Sequence, residues 1–413
     1  MNTLSETPEP SAKAFSYIRF RLFWLAIMAA SFAVQIMSVS VSWQIYDLTR
    51  NPLFLGYVGL AQFLPALFLV LVTGLAADRF PRRIIMAVCL MVEVGCASAL
   101  FLFATAHGHD IWMIYVVLVV LGTARAFMGP ASASLAPNLV PPVALSNAVA
   151  VNSSAWQLSS IVGPVAGGLL YGVSGSLAYG TAAALALTAA CLVIMIPKPP
   201  HRTDYHATDA DTLLAGFRYI WKEKVVLGAI SLDLFAVLMG GAVALLPVYA
   251  RDILDVGPWG LGLLRAAPGI GAIAIAIFLT RFPIRDHAGI ILFGFVGAFG
   301  FFTVIFGFST VAWIAIPALM LMGACDMVSV VLRETLLQLW TPDEVRGRVS
   351  AVNSVFVGAS NELGEFRAGV AAAWIGTVWA VALGGVGTMV IAGVWSQMFP
   401  GLRKARGIDR RMV

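Results

Sequence analysis

Gly74-Leu75-Ala76-Ala77-Asp78-Arg79-Phe80-Pro81-Arg82-Arg83 places one acid and three arginines within the six positions from Asp78 to Arg83. Apolar runs of about 20 residues, each long enough to cross a bilayer, lie on both sides of it. Such a knot of charge is costly in hydrocarbon and tolerated at a membrane surface, so the stretch reads as a loop between two spans. The rest of the chain agrees. Of 413 residues, 60% are hydrophobic and 11% are charged, against about 25% charged in a soluble domain. The runs are apolar throughout and do not alternate, which argues against a β-barrel. The sequence therefore predicts an all-α membrane protein.

Twelve helix-length runs follow one another, at 20–46, 53–76, 84–106, 111–135, 144–171, 175–197, 225–250, 258–280, 288–308, 311–339, 345–371 and 376–399. Twenty of the 26 Lys and Arg residues fall in loops on one side, and Arg50 and Arg251 alone fall on the other. By the positive-inside rule both termini are expected in the cytoplasm. The four remaining arginines, Arg125, Arg265, Arg333 and Arg367, lie inside spans. The polar start of the chain has no small-residue cleavage site and reads as a retained tail. The longest polar interruption, 198–224, begins Lys198-Pro199-Pro200. It continues with Leu213, Leu214, Phe217, Ile220 and Trp221 on one helical face, a pattern for a short helix lying in the interface. The expected organisation is a cytoplasmic tail (1–19), a six-helix bundle (20–197), the linker (198–224), a second six-helix bundle (225–399) and a basic tail (400–413) suited to anionic lipid.

The two bundles look like copies. Arg79-Phe80-Pro81 recurs as Arg281-Phe282-Pro283, Ala150-Val151-Asn152-Ser153 as Ala351-Val352-Asn353-Ser354, and Gly59 and Pro65 answer to Gly262 and Pro268. Parallel six-span repeats around a long central loop are the architecture of one large transporter class. The chain resembles the major facilitator superfamily over essentially its whole length. Gly74, Asp78, Arg79, Arg82 and Arg83 match that superfamily's loop 2–3 signature, with Pro81 in place of the usual second glycine. Leu121, Arg125, Gly129 and Ala133 resemble the drug-exporter pattern of span 4. Gly163, Pro164, Gly167 and Gly168 resemble the antiporter signature of span 5, with Ser159 at its first glycine. Arg346 to Ser354, Asn361 to Phe366 and Gly384 to Gly387 are similar to the exporter branch that includes the enterobactin exporter, although Arg367 stands where an acid or small residue is expected. The resemblance implies alternating access and export by proton antiport.

The candidate residues divide by role. The signature loop reads as a gate latch, with Asp78 meeting the N-terminus of span 11. A helix dipole there favours an anion by about 0.3–1 kcal/mol, and Thr341-Pro342-Asp343-Glu344 has the form of a capping box. Ionisable groups inside spans imply partners or a water-filled cavity. Proton coupling needs a carboxylate that loads near neutral pH, which burial promotes. Asp233, which has no base nearby in sequence, is the sharper candidate, followed by Asp326, Glu362 and Glu365. The midplane cavity is expected to draw on Gln35, Trp43, Gln62, Arg125, Asn152, Trp156, Gln157, Arg265, Arg333 and Asn353. Arg125 and Asp326 are 201 apart, the repeat offset, so they are expected to be coupled across the cavity. Pro164 and the glycines of span 5 would bend that helix and let a neighbour approach closely, giving a tight outer seal; Pro65 and Pro268 would be paired bends.

No P-loop, Rossmann fingerprint or catalytic triad is present, so neither ATP drive nor enzyme chemistry is expected. His107-Gly108-His109-Asp110 is short of a metal site's ligand count, the four cysteines sit in apolar runs, and neither cofactor nor metal is expected. Nucleic acid is not needed to explain a net charge of +5, because the basic residues follow membrane topology. The expectation is a monomeric secondary transporter of the bacterial inner membrane. It would move amphipathic small molecules such as drugs or siderophore-like compounds outward against protons. Alternatives are a proton-coupled importer of a small metabolite and a lipid flippase.

Overall fold

The computed structural model describes residues 13–197, 217–284 and 286–405; the side chains of Val70, Leu71, Leu75, Ala77, Asp78, Asp343 and Glu344 also lie outside the described set. Six long helices come first: α1 (Ile18–Thr49), α2 (Pro52–Arg79), α3 (Arg82–Thr105), α4 (Ile111–Leu135), α5 (Leu145–Val173) and α6 (Gly175–Met195). Six follow: α7 (Lys224–Gly240), α8 (Gly257–Arg281), α9 (Ala288–Phe308), α10 (Ala312–Trp340), α11 (Asp343–Ile375) and α12 (Thr377–Met398). Among the described residues, ten spans are long and apolar enough to cross a membrane. The other two, α5 with 29 residues and α11 with 33, have the length but are diluted by polar side chains.

That dilution has a structural reason. In the first set α1 packs on α5 and α6, α3 on α4 and α6, and α2 on α4; in the second α9 packs on α10 and α12, α8 on α10, and α7 on α11 and α12. The two sets meet mainly along α5 against α8 and α2 against α11. The polar helices are thus repeat mates lying on the seam. Glycines let the backbones touch there: a Cβ on Gly369 of α11 would stand 2.8 Å from Gly56 Cα of α2, and one on Gly262 of α8 would stand 2.5 Å from the Pro164 carbonyl of α5.

These contacts occupy the half of the molecule away from the termini. The α5 face that meets α8 at Ile161, Pro164 and Gly168 continues, at about 3.6 residues per turn, through Leu158, Ser154, Ala150 and Asn147, all exposed. The α11 face that meets α2 continues through Gly358 and Val355, also exposed. Asn147 accepts from the Ala14 amide at 2.9 Å, which fixes this as the terminal face. The two sets are therefore closed at the far face and parted at the terminal face.

Span 7 departs from the predicted single run over 225–250. α7 ends at Gly240, Gly241 takes a left-handed φ of +44°, and short helical turns carry the chain on to Ile253. Gly240-Gly241 ahead of Pro247 accounts for the break, because proline supplies no N–H to the turn below it. A Cβ on Gly241 would lie 2.5 Å from the Gly364 carbonyl of α11. Arg367 of α11 satisfies the freed carbonyls, donating from Nε to Leu238 O at 2.8 Å and from Nη2 to Met239 O at 2.5 Å. The unexpected arginine of span 11 is thus the clamp on a broken helix. Arg367→Ala should cost about 1–3 kcal/mol for each carbonyl left without a donor, seen as a lower unfolding midpoint in detergent. Arg367→Lys should recover only part, because an ammonium lacks the planar fork.

Two further expectations bear on the terminal face. The linker helix, described from 217 to 222, keeps Phe217 and Trp221 partly exposed while its other side docks on the second set. Ile220 is buried with Val226, Leu337 and Val349, Phe217 stacks on Phe356, and Tyr219 Oη donates to the Trp340 carbonyl at 2.5 Å. Leu213 and Leu214 fall outside the described residues. The capping box before α11 does not form through its threonine, because the buried Thr341 Oγ1 has no hydrogen-bond partner and the helix begins at Asp343. Pro65 and Pro268 lie within continuous helices.

Candidate functional site

Just below the far face, the ends of spans 1 and 7 form a lock. α1 terminates at Arg50, whose left-handed φ of +51° turns the chain. Tyr46 Oη donates to Asp252, Arg50 Nη1 lies 3.4 Å from Asp252 Oδ1, Arg251 pairs with Asp47, and Arg251 lies over the Trp43 ring at 5.3 Å from its centroid. The only two basic residues assigned to the outer side of the membrane are both used here. Trp43, expected at the midplane, is instead buried in this lock. Asp47, Asp252 and Tyr46 belong to no sequence motif; their closeness in sequence to Arg50 and Arg251 is the signal that marks them.

At the depth of the seam the structure assembles a charge cluster. Glu362 and Glu365 of α11 lean on the bare backbone of α2 at Gly59, where a Cβ would stand 2.7 Å from Glu362 Oε2 and 3.3 Å from Glu365 Oε2. Arg265 of α8 is close enough to attract both carboxylates and donates to Ser38 Oγ of α1 at 2.7 Å. Arg125 of α4 donates to Gln62 Oε1 of α2 at 3.0 Å and attracts Glu362. Behind Arg125 lies Glu93 of α3, buried, with Oε1 unpartnered. Two acids from one set and two arginines, one from each set, thus share the seam. The spacing of Glu362 and Glu365 places both on one face of α11, and Gly59 supplies the room.

Other candidates are distributed differently. Arg125 is not coupled to Asp326: Arg125 turns to Gln62, while Asp326 lines a small chamber inside the second set with Asp233 and Ser329. Asp233, which lacks a base nearby in sequence, is ion-paired in space with Arg333 of α10, itself only 4% exposed. That pair belongs to the packing of α7 on α10, so Arg333 does not line the seam. Asn353 Nδ2 donates to Glu334 Oε1 at 3.0 Å within the second set, and the Asn152 Oδ1 is buried without a partner. Gln35 packs on Gly163, where a Cβ would stand 2.6 Å from Gln35 Cβ. Trp156 is 62% exposed on the terminal-side half of α5, next to the half-buried Gln157. Gly167 lies against Ile36 of α1, and Gly168 against Pro258 and Gly262 of α8. The four residues of the span 5 motif thus seat α1 on one side and α8 on the other. In the signature loop, Arg83 donates to the Ile196 carbonyl at the end of α6, Arg79 is exposed and Gly74 has no neighbour within 4 Å of an added Cβ; Arg82 has a partner, and the Asp78 side chain lies outside the described residues. Asp110 caps α4 by accepting from the Trp112 amide at 3.0 Å, and no group of three metal-ligating side chains occurs among the described residues.

A family model described as "Transmembrane secretion effector" matches residues 11–409. The multidrug efflux pump Tap of Mycobacterium tuberculosis is 27% identical over 371 residues, covering 85% of this chain and 86% of that protein. The enterobactin exporter EntS of Escherichia coli is 26% identical over 406 residues, covering 95% of each. Among solved structures, a bacterial homologue of the human lysosomal transporter Spinster, inward-facing and unoccupied, superposes with a TM-score of 0.72 at 14% identity over 95% of this chain and 97% of its own. A D-xylose–proton symporter gives 0.71 at 13% identity, over 94% and 99%. At these identities the two structures speak to the fold.

Proposed function

Since the chain belongs to the transmembrane secretion effector family of major facilitator transporters, we propose that it exports amphipathic small molecules from the bacterial cytoplasm in exchange for protons, by alternating access. The observation that carries this reading is the placement of Glu362 and Glu365 on Gly59, within the fields of Arg265 and Arg125. A carboxylate pair on the surface where the two sets separate has different neighbours in each state, which is what couples proton uptake to a conformational change. The charge census supports assigning the terminal, parted face to the cytoplasm. Efflux as the direction is supported by the names of two relatives, a multidrug efflux pump and an enterobactin exporter. The exposed Trp156 and the amides Gln62 and Gln157 would give the cavity a surface suited to aromatic, amphipathic cargo.

In this reading the far-face lock holds the inward-facing state and the signature loop holds the opposite one. Asp78 would meet the start of α11 when the cytoplasmic ends close, while Glu362 and Glu365 leave Gly59 as the seam opens. The test is dye efflux from expressing cells loaded with ethidium. Expression should lower the steady-state dye level, and raised accumulation would instead favour import. Asp78→Asn should impair efflux with expression retained; unchanged efflux removes the latch.

A further inference from the structure

The second set holds a small chamber apart from the seam, walled mostly by apolar side chains. It has a volume of about 20 Å³ and lies between α7, α9 and α10, just large enough for one water-sized occupant. Three polar side chains face it: Asp233, Asp326 and Ser329. α9 closes it with apolar groups, Val296 and Phe299. Asp233 is neutralised by Arg333. Asp326 has neither an ion pair nor a hydrogen bond among the described residues. Ser329 is 6% exposed, and its hydroxyl likewise has no hydrogen-bond partner among the described residues. The other buried serines, Ser40, Ser42, Ser159, Ser309 and Ser360, all turn their hydroxyls back onto helix carbonyls. Ser329 instead leaves its oxygen free toward the chamber, one helical turn from Asp326.

We propose that this chamber binds a single monovalent cation of the size of sodium, held by the carboxylates of Asp326 and Asp233 and the hydroxyl of Ser329. Asp233, Arg333 and Asp326 together carry one net negative charge, and an uncompensated charge inside a membrane protein calls for a partner. All three donors are oxygens, which suit a hard cation. Calcium needs six to eight oxygens and magnesium a near-ideal octahedron, and the chamber offers neither. The site lies wholly within one set, so it does not depend on the seam carboxylates. Its role is to stabilise the packing of α7 on α10 around the broken span 7.

The experiment is thermal unfolding of the purified full-length protein in detergent, titrating sodium chloride against choline chloride at constant ionic strength. Sodium should raise the midpoint in a saturable way. Asp326→Asn should abolish the rise, and Ser329→Ala should raise the half-saturating concentration by about tenfold, the loss of one ligand worth about 1.4 kcal/mol. Glu362→Gln should keep the sodium response whether or not the transport reading holds, which separates the two. A sodium effect that is absent in the wild type, or undiminished in Asp326→Asn, overturns the site. If Asp326→Asn does not fold, Ser329→Ala decides: an unchanged half-saturation overturns it.

Discussion

Replacing Glu362 and Glu365 together by glutamine should reduce ΔpH-driven dye flux in proteoliposomes to the level seen without a gradient, while gradient-free exchange of dye continues. Both carboxylates sit against Gly59 and are attracted by Arg265. Glutamine keeps their size and one acceptor oxygen but carries no charge and cannot take up or release a proton. Either residue alone should retain a reduced response, because carboxylates this close titrate as a pair. A harsher change separates chemistry from architecture. Glu365→Leu leaves the charge of Arg265 poorly compensated at the seam, and an uncompensated charge inside a membrane protein is costly. The leucine variant should therefore lose stability as well as flux; the glutamine variants remove the same negative charge but keep an amide oxygen able to accept from Arg265, so their unfolding midpoint should fall less. Full ΔpH-driven flux in the double glutamine variant would contradict the coupling role.

Gly168→Val should shift the molecule away from the far-face-closed arrangement. The missing side chain of Gly168 lets α5 lie directly against the Pro258 carbonyl and the backbone of Gly262. Valine cannot be accommodated there without moving one helix off the other. Overpacking of this kind costs about 1–3 kcal/mol, which moves a two-state ratio about 5- to 150-fold. Spin labels at Trp112 and Trp313, exposed residues at the far-face starts of α4 and α10, would report the separation. The variant should populate longer distances at the expense of the wild-type peak. Gly172→Ala, one turn further along α5 where an added Cβ meets nothing within 4 Å, should leave the distribution unchanged. An unchanged distribution in Gly168→Val would show that this seam does not set the closed state.

Much of this architecture is legible in the amino-acid sequence because bilayer thickness imposes a length and the basic residues impose a side. The Gly74–Arg83 stretch joins two spans as read but is shorter as a loop: α2 runs on through Gly74 to Arg79 and α3 begins at Arg82, which leaves Phe80 and Pro81 between them. The seam is legible in a weaker sense. Glu362, Glu365, Gln62, Arg125 and Arg265 all stand out as ionisable or polar groups in apolar spans, yet nothing in their spacing says that Gly59 lets the two acids approach. The repeat offset misleads at Arg125 and Asp326. It equates positions in the two halves, and equivalent positions need not touch; each side chain answers to its own neighbours. Asp233 and Arg333 lie 100 residues apart, so their pairing follows only once α7 packs on α10. Arg367 is opaque for the same reason. The carbonyls it caps exist only because Gly240-Gly241 and Pro247 break span 7, and the donor comes from another helix.

The most direct test is a proton measurement. Proteoliposomes carrying a trapped pH dye and an outward ethidium gradient, with no ΔpH imposed, should move protons inward as ethidium leaves. The Glu362→Gln/Glu365→Gln protein should release ethidium without that proton movement. Wild-type transport of ethidium with no accompanying protons, or equal proton movement by the double variant, would contradict the assignment of coupling to the seam carboxylates.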